Sequence, residues 1–127
     1  MALKPGRQVD LGELIMDISV NSQETPAMDF SGWRGGANAI SIDGPSVLDG
    51  TVKIQVTNSL PSETQEGDVD EYGSIWKDKQ SAGADITVPA DGHVTMKAVD
   101  YKQLRLVSSS VETENRRFRI IGYEPAS

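Results

Sequence analysis

The stretch HVTMKAVDYKQLRLVSSSVETENRRFRII, residues 93–121, decides the fold class of this chain. Its 29 residues contain neither glycine nor proline, so nothing in its composition forbids a long helix. Its apolar residues nevertheless alternate with polar ones in three runs: Val94 with Met96, Leu104 with Leu106, and Phe118 with Ile120. A period of two places the apolar residues on one face of a β-strand. The stretch therefore predicts three half-buried antiparallel strands.

The same alternation continues outward from this stretch, at residues 52–56. Shorter apolar runs that fit strands lie at residues 39–42, 75–77 and 85–88. Residues 11–20 are ambiguous, because their apolar positions fit a helix and a strand equally well. Gly12 lowers helix propensity there, and the neighbouring segments read as strands, so we favour a strand.

Turn signals separate these runs. Asp43-Gly44-Pro45 and Asp49-Gly50 interrupt the first half of the chain, and a polar loop at 108–115 separates the last two strands. The pair at residues 91 and 92 is Asp-Gly, which favours a two-residue hairpin turn. We expect that hairpin to join residues 85–89 to residues 93–99.

About eight short strands in 127 residues predict an all-β fold, a single-domain antiparallel β-sandwich or jelly roll. Residues 1–8 are expected to form an extended N-terminal arm, residues 9–122 the sandwich, and residues 123–127 a C-terminal tail. Residues 58–71 carry five carboxylates and no basic residue, and this composition predicts a long acidic loop inside the sandwich domain.

Composition excludes several classes of function. The chain has 12 Lys and Arg against 19 Asp and Glu, a net charge of −7, which argues against nucleic acid or a membrane as partner. Without cysteine it has no disulfides, no cysteine-ligated zinc and no thiol nucleophile. No apolar run fits a secretory signal or a membrane-spanning helix, so we expect synthesis in a cytoplasm.

Three motifs that suggest chemistry lack the companion residues that the chemistry needs. The sequence DVDEYG starts like a calcium loop, but Tyr72 and Lys79 occupy positions where that loop needs oxygen ligands. Ser74 and Lys77 have the spacing of acyl-serine hydrolases, yet on a strand they point to opposite faces. His93 is the only histidine and has no partners for a catalytic or metal site. We therefore expect no enzyme activity, no cofactor and no metal site of these kinds, and a looser cation site in the acidic loop stays open.

Interface residues are easier to nominate than catalytic ones. Trp33, beside Arg34 in a glycine-rich stretch, fits a core or interface anchor better than a sugar-stacking platform. The arginines of the RRFR stretch form the densest basic cluster, and we expect them to meet an acidic surface, such as loop 58–71 of a neighbouring copy. The predicted interface residues are Lys4, Arg7, Trp33, Arg34, Asp68, Asp70, Glu71, Arg116, Arg117 and Arg119.

Several segments together resemble a known family. They are VDLG at 9–12, TVKIQVT at 51–57, WKD at 76–78, DITVPADG at 85–92, YKQLRLV at 101–107 and FRIIG at 118–122. This pattern is similar to the small jelly-roll capsid decoration, or cement, proteins of tailed bacteriophages. The resemblance implies a non-enzymatic virion structural protein on the capsid exterior. It would bridge neighbouring subunits of the major capsid protein and associate with itself as a homodimer or homotrimer.

Two alternatives to this function stay open at the level of the sequence. The chain could be another virion component, such as part of a tail, a neck or a head-fibre base. It could also be a carbohydrate-binding β-sandwich module, in which case the tryptophan at residue 33 is the first candidate for stacking on a sugar ring.

Overall fold

The chain folds into antiparallel β-strands, as its alternating pattern predicts. A computed structural model describes residues 8–29, 39–58, 69–70, 73–74, 76–97 and 101–125, and none of these residues is helical. The strands are β1 (Gln8–Ile18), β2 (Met28–Asp29), β3 (Ala39–Asp43), β4 (Val52–Thr57), β5 (Val69–Asp70), β6 (Gly73–Ser74), β7 (Lys77–Asp78), β8 (Gln80–Ser81), β9 (Ala84–Asp85), β10 (Thr87–Val88), β11 (His93–Lys97), β12 (Gln103–Ser108) and β13 (Arg116–Pro125). The expected all-β class is confirmed, and the ambiguous segment at 11–20 lies mainly in β1.

Two sheets form the body of the molecule. In sheet A the strand order is β1-β13-β3-β11. In sheet B the strand order is β10-β4-β12-β2. The short strand β7 also pairs with β4. The short strands β5 with β6 and β8 with β9 form two separate ribbons. All pairings are antiparallel.

The core lies between the two sheets. Every long strand contributes alternate apolar side chains to it, which is what the period of two requires. The buried members of the core are Met16, Ile18, Met28, Ile40, Ile42, Val52, Ile54, Val56, Val88, Met96, Leu104, Leu106, Phe118 and Ile120. Burial of apolar side chains from both sheets in one cluster makes the fold a β-sandwich.

The outer face of sheet B departs from the expectation of a wet surface. Thr57 and Gln103 lie opposite each other in β4 and β12, and each is only 3% exposed. Trp76 is also buried, and the guanidinium carbon of Arg105 lies 4.4 Å from the centre of its ring. The tryptophan side chain is therefore packed outside the main core, where it stacks against an arginine of β12.

The hairpin predicted at Asp91-Gly92 is wrong. The strand before this pair, β10, joins β4 in sheet B, whereas the strand after it, β11, joins β3 in sheet A. The pair is a crossing between the sheets, held by hydrogen bonds from Asp91 N to Pro45 O at 2.7 Å and from Gly44 N to Gly92 O at 2.9 Å. Asp-Gly correctly marked a turn, but the sheet that each flanking strand joins depends on distant partners.

A two-residue hairpin of the expected type occurs nearby instead. Ala82 and Gly83 both have positive φ, at 54° and 83°, and they connect β8 to β9. Positive φ at both central residues is the requirement of a type I′ turn. In the Asp91-Gly92 pair, where the hairpin was predicted, only Asp91 has positive φ.

The predicted boundaries shift at both ends: Gln8, assigned to the arm, lies in β1, and residues 123–125, assigned to the tail, lie in β13. Gln8 pairs with Pro125 and Tyr123 pairs with Ala39, so residues 123–125 belong to β13 and not to a tail. One extra residue of β1 lies opposite β13 between Asp10 and Glu13, which is a β-bulge. Residues 1–7 of the predicted arm and most of the predicted acidic loop lie outside the described residues.

Truncating the largest fully buried side chain tests the core. Phe118 is 0% exposed, so Phe118→Ala should lower the free energy of unfolding by about 3–5 kcal/mol, measured by urea denaturation. The exposed Val47, changed to Ala, should shift it by less than about 0.5 kcal/mol. Equal losses in the two variants would contradict this assignment of the core.

Candidate interaction surface

Three connections meet at one end of the sandwich. The first connection follows β1 (residues 19–22), the second joins β3 to β4 (residues 44–51), and the third joins β12 to β13 (residues 108–115, counted from the last residue of β12). We call these three segments together the loop end. Two backbone hydrogen bonds tie the first connection to the third, from Asn21 N to Glu112 O at 2.8 Å and from Glu112 N to Ser22 O at 2.9 Å. Ser109 N donates to Thr51 O at 2.9 Å, which ties the third connection to the second.

A buried carboxylate lies at the centre of the loop end. Glu112 is 0% exposed. One of its oxygens accepts hydrogen bonds from Asp49 N at 3.0 Å and from Arg116 Nε at 2.9 Å. The other accepts from Gly50 N at 3.1 Å and from Ser108 Oγ at 2.8 Å. Four donors compensate for the loss of water around this charge, and without them its burial would be very costly.

The same carboxylate connects the two sheets. Ser108 is the last residue of β12 in sheet B, and Arg116 is the first residue of β13 in sheet A. Arg116 is itself buried, and its guanidinium also contacts Asp49 Oδ2 at 3.0 Å and Glu114 Oε2 at 3.4 Å. The core is thus closed at this end by an ion-pair network, in which each buried charge has an opposite charge as partner.

The titration behaviour of the network follows from these contacts. Burial alone would raise the pKa of Glu112, but the hydrogen bonds from Asp49 N, Ser108 Oγ, Arg116 and Gly50 N outweigh it and lower the pKa. The pKa of Asp49 is also lowered, first by the hydrogen bond from the Thr113 backbone and then by Arg116. Both carboxylates therefore stay ionised below the pH at which ordinary carboxyl groups of their type take up a proton.

Close packing of the loops depends on one glycine. A Cβ atom on Gly50 would lie 2.7 Å from Ser110 N and 2.9 Å from Ser109 Oγ, closer than such atoms approach in proteins. Because only hydrogen fits there, the backbone of residues 49–51 can lie directly against the third connection. The second and third connections are therefore held at a fixed separation.

Each of the three connections carries one exposed valine. They are Val20 in the first connection, Val47 in the second and Val111 in the third, and each is about half exposed. Val20 N donates to Asn115 Oδ1 at 2.8 Å, and Val111 directly precedes Glu112. Single exposed apolar residues are common on protein surfaces, so these valines point to a contact site only together with the network that holds the three connections in place. The loop end is accordingly the candidate interaction surface.

The predicted arginine patch divides into two parts. Arg116 is buried within the network, so its side chain is not available to a partner. Arg117 and Arg119 point outward from β13 and bind carboxylates of their own chain: Arg117 binds Asp17 at 3.0 Å, and Arg119 binds Asp43 at 2.6 Å. An acidic loop of a neighbouring copy would have to compete with these cross-strand pairs.

The remaining predicted interface residues are not placed by the structure. Lys4, Arg7, Trp33, Arg34, Asp68 and Glu71 lie outside the described residues, and Asp70 lies in β5 with only its backbone described. Their roles stay predictions. Among the described residues, no group of three histidine, aspartate or glutamate side chains is placed to hold a metal ion. The same residues include no helix that could cross a membrane.

Reasoning from sequence missed the central residue of the loop end. Glu112 lies in the polar loop that was expected between the last two strands, and nothing local distinguishes it from Glu114. Its partners Asp49 and Gly50 precede it by 63 and 62 residues. A pairing over that separation leaves no periodic signal. The sequence offers one hint: Glu112 lies four residues before Arg116, a spacing that would suggest an ion pair in a helix, but this segment has no helical pattern.

Comparisons with known proteins assign no family to this chain. No protein-family model matches the chain, and no curated protein matches it. Two solved structures are similar at 14% identity: IMPa from Pseudomonas aeruginosa in complex with an O-glycopeptide, with a TM-score of 0.48, and IMPa metallopeptidase in complex with T-antigen, with a TM-score of 0.49. The match covers 92% and 91% of this chain but spans only 13% of each solved chain. Similarity of this degree supports no conclusion about activity or ligands.

Replacing the buried carboxylate by an amide tests the network. Glu112→Gln leaves Arg116 buried without its closest anion, so the free energy of unfolding at pH 7 should fall by about 3–5 kcal/mol. In the native protein the pKa of Glu112 is lowered, so the unfolded chain binds more protons as the pH falls below the ordinary value of 4.5. The wild type should therefore lose stability in that range, and the variant should lose less. Urea denaturation between pH 7 and pH 3 measures both effects.

Glu114→Gln is the matched control, because Glu114 contacts the same arginine but its side chain is 78% exposed. This change should cost less than about 1 kcal/mol and leave the pH profile unchanged. Similar profiles for the two variants would mean that the buried carboxylate does not govern the acid sensitivity.

Proposed function

We propose that this chain is a non-enzymatic structural protein that decorates the outside of an icosahedral capsid. On this proposal it bridges neighbouring subunits of the major capsid protein of a tailed bacteriophage. The segments that resemble decoration proteins include those in β4, β10, β12 and β13, which form the framework of the sandwich. The resemblance to that family therefore concerns the strands of the sandwich and does not identify the residues that contact a capsid.

The observation that carries the proposal is the locked loop end with its exposed valines. A surface that is already rigid loses little conformational freedom when it binds, so more of the contact energy appears as affinity. Val47 and Val111 offer apolar contact, and the carboxylates of Asp49 and Glu114 beside them are polar. Protein–protein interfaces combine apolar contacts with polar side chains, and the loop end carries both. Repeated attachment to a fixed lattice of subunits suits such a surface.

Rebinding to stripped particles tests this proposal. Capsids of the same virus, prepared without this protein, should bind the purified chain in many copies per particle, measured by sedimentation and quantitative gel densitometry. Changing Val47 and Val111 together to lysine should weaken binding by about tenfold or more, because a charge replaces buried apolar contact at the interface centre.

The matched control places two lysines elsewhere. Thr87→Lys combined with Thr95→Lys changes two exposed residues of β10 and β11 and alters the net charge equally. This control should bind like the wild type. Equal weakening by both double variants would remove the loop end from the interface. Binding at a single vertex would identify another kind of virion component, and selective binding on a glycan array would replace the proposal by a carbohydrate-binding role.

A further inference from the structure

The free edge of β1 borders an apolar groove. Within the described part of the chain, β1 pairs only with β13, so residues 13–18 present backbone donors and acceptors along their other edge. A groove of about 490 Å³ lies beside this edge. Its apolar lining residues are Leu14, Ile15 and Met16 of β1 and Pro26, Ala27 and Met28 from the segment leading into β2. It opens between the edge of sheet A and the edge of sheet B.

The outward side chains of β1 form an acidic–apolar–acidic row. Glu13, Ile15 and Asp17 alternate on the outer face, and Ile15 is 49% exposed. Asp17 binds Arg117 of the same sheet, and Glu13 lies 3.6 Å from Arg119, which is closer to an aspartate of β3. Both carboxylates keep 40% or more of their side-chain surface exposed. A strand placed beside β1 would meet this row directly.

Charge complementarity selects the kind of strand that fits. If a second copy paired through β1 with Ile15 opposite Ile15, Glu13 of each copy would lie opposite Asp17 of the other. Like charges directly opposite across an antiparallel pair are destabilising, so this edge is protected against its own copies. Each carboxylate already has an arginine of β13 on one side but keeps 40% or more of its side-chain surface exposed, so lysine or arginine opposite it would add a second basic neighbour on the side away from β13. With an apolar residue opposite Ile15, this arrangement would be stabilising. The chain's net charge of −7 favours the same kind of partner.

We propose that the β1 edge and the adjacent groove accept an extended segment of another protein as an added antiparallel strand. On its outward side this segment carries a basic, an apolar and a basic residue, and the side chains between them are apolar and enter the groove. Backbone hydrogen bonds to β1 supply affinity, and the groove and the acidic row supply specificity. The inference stands on β1 and its groove alone and holds whether or not the chain binds a capsid.

A synthetic peptide of sequence TKLIVKT tests the site with the full-length protein. Paired antiparallel to β1, its lysines lie opposite Asp17 and Glu13, its isoleucine opposite Ile15, and its leucine and valine toward the groove. Titration followed by ¹H–¹⁵N NMR should show saturable shifts confined to residues 13–18 and 26–28. Amide hydrogen exchange along the outer edge of β1 should slow. The charge-reversed peptide TELIVET should bind about tenfold more weakly at low salt.

Two substitutions at one position separate charge from loss of the isoleucine. Ile15→Lys repels both lysines of TKLIVKT and should weaken binding by about tenfold, whereas Ile15→Glu, which loses the same apolar contact but attracts the lysines, should weaken it much less. Thr95→Lys adds the same charge on β11, at the opposite edge of sheet A, and should have no effect. Circular dichroism and thermal melting verify that each variant is folded. Equal affinity for the two peptides, or shifts centred away from β1, would overturn the proposal.

Discussion

The carboxylate of Glu112 lies between the two sheets and accepts hydrogen bonds from both of them, through Ser108 and Arg116. It also accepts from the backbone of Asp49 and Gly50, so one side chain fixes two loops and the end of the core at once. A buried carboxylate of this kind is stabilising only while its partners are in place. The rigidity of the loop end, and hence its suitability as a contact surface, follows from that condition.

Sequence predicted the framework well, because a strand buried on one face must alternate and a helix does not produce the alternation at 52–56, 93–97, 104–106 and 116–121. It did not predict which strand lies beside which. The turn at Asp91-Gly92 was recognised, yet it joins two sheets, because strand pairing is decided by residues far along the chain. The role of Glu112 could not be predicted for the same reason, because two of its hydrogen-bond donors lie more than sixty residues away and its loop has an ordinary composition.

The loop end and the β1 edge differ in the physics that would drive binding. In the loop end many backbone groups are bonded internally, so contact there would be made mainly by side chains. Among the described strands β1 pairs only with β13, which leaves its outer backbone edge and the adjacent groove for an added strand. A protein that bridges neighbouring subunits needs two separate contact surfaces, and the two proposed surfaces are of contrasting kinds. Arg117 and Arg119 already have partners on their own sheet, and these include Asp17 and Glu13 of β1, so a strand added at β1 would share both carboxylates with the arginines.

Locking of the loop end in the free protein is the central claim, and native-state hydrogen exchange measures it directly. The amides of Asn21, Asp49 and Gly50 all bond to Glu112, two of them to its carboxylate. They should exchange about as slowly as the central strands β4 and β12, because they open only when the end of the core opens. Exchange as fast as that of an ordinary exposed loop would contradict the claim, since the loops would then move independently of the core.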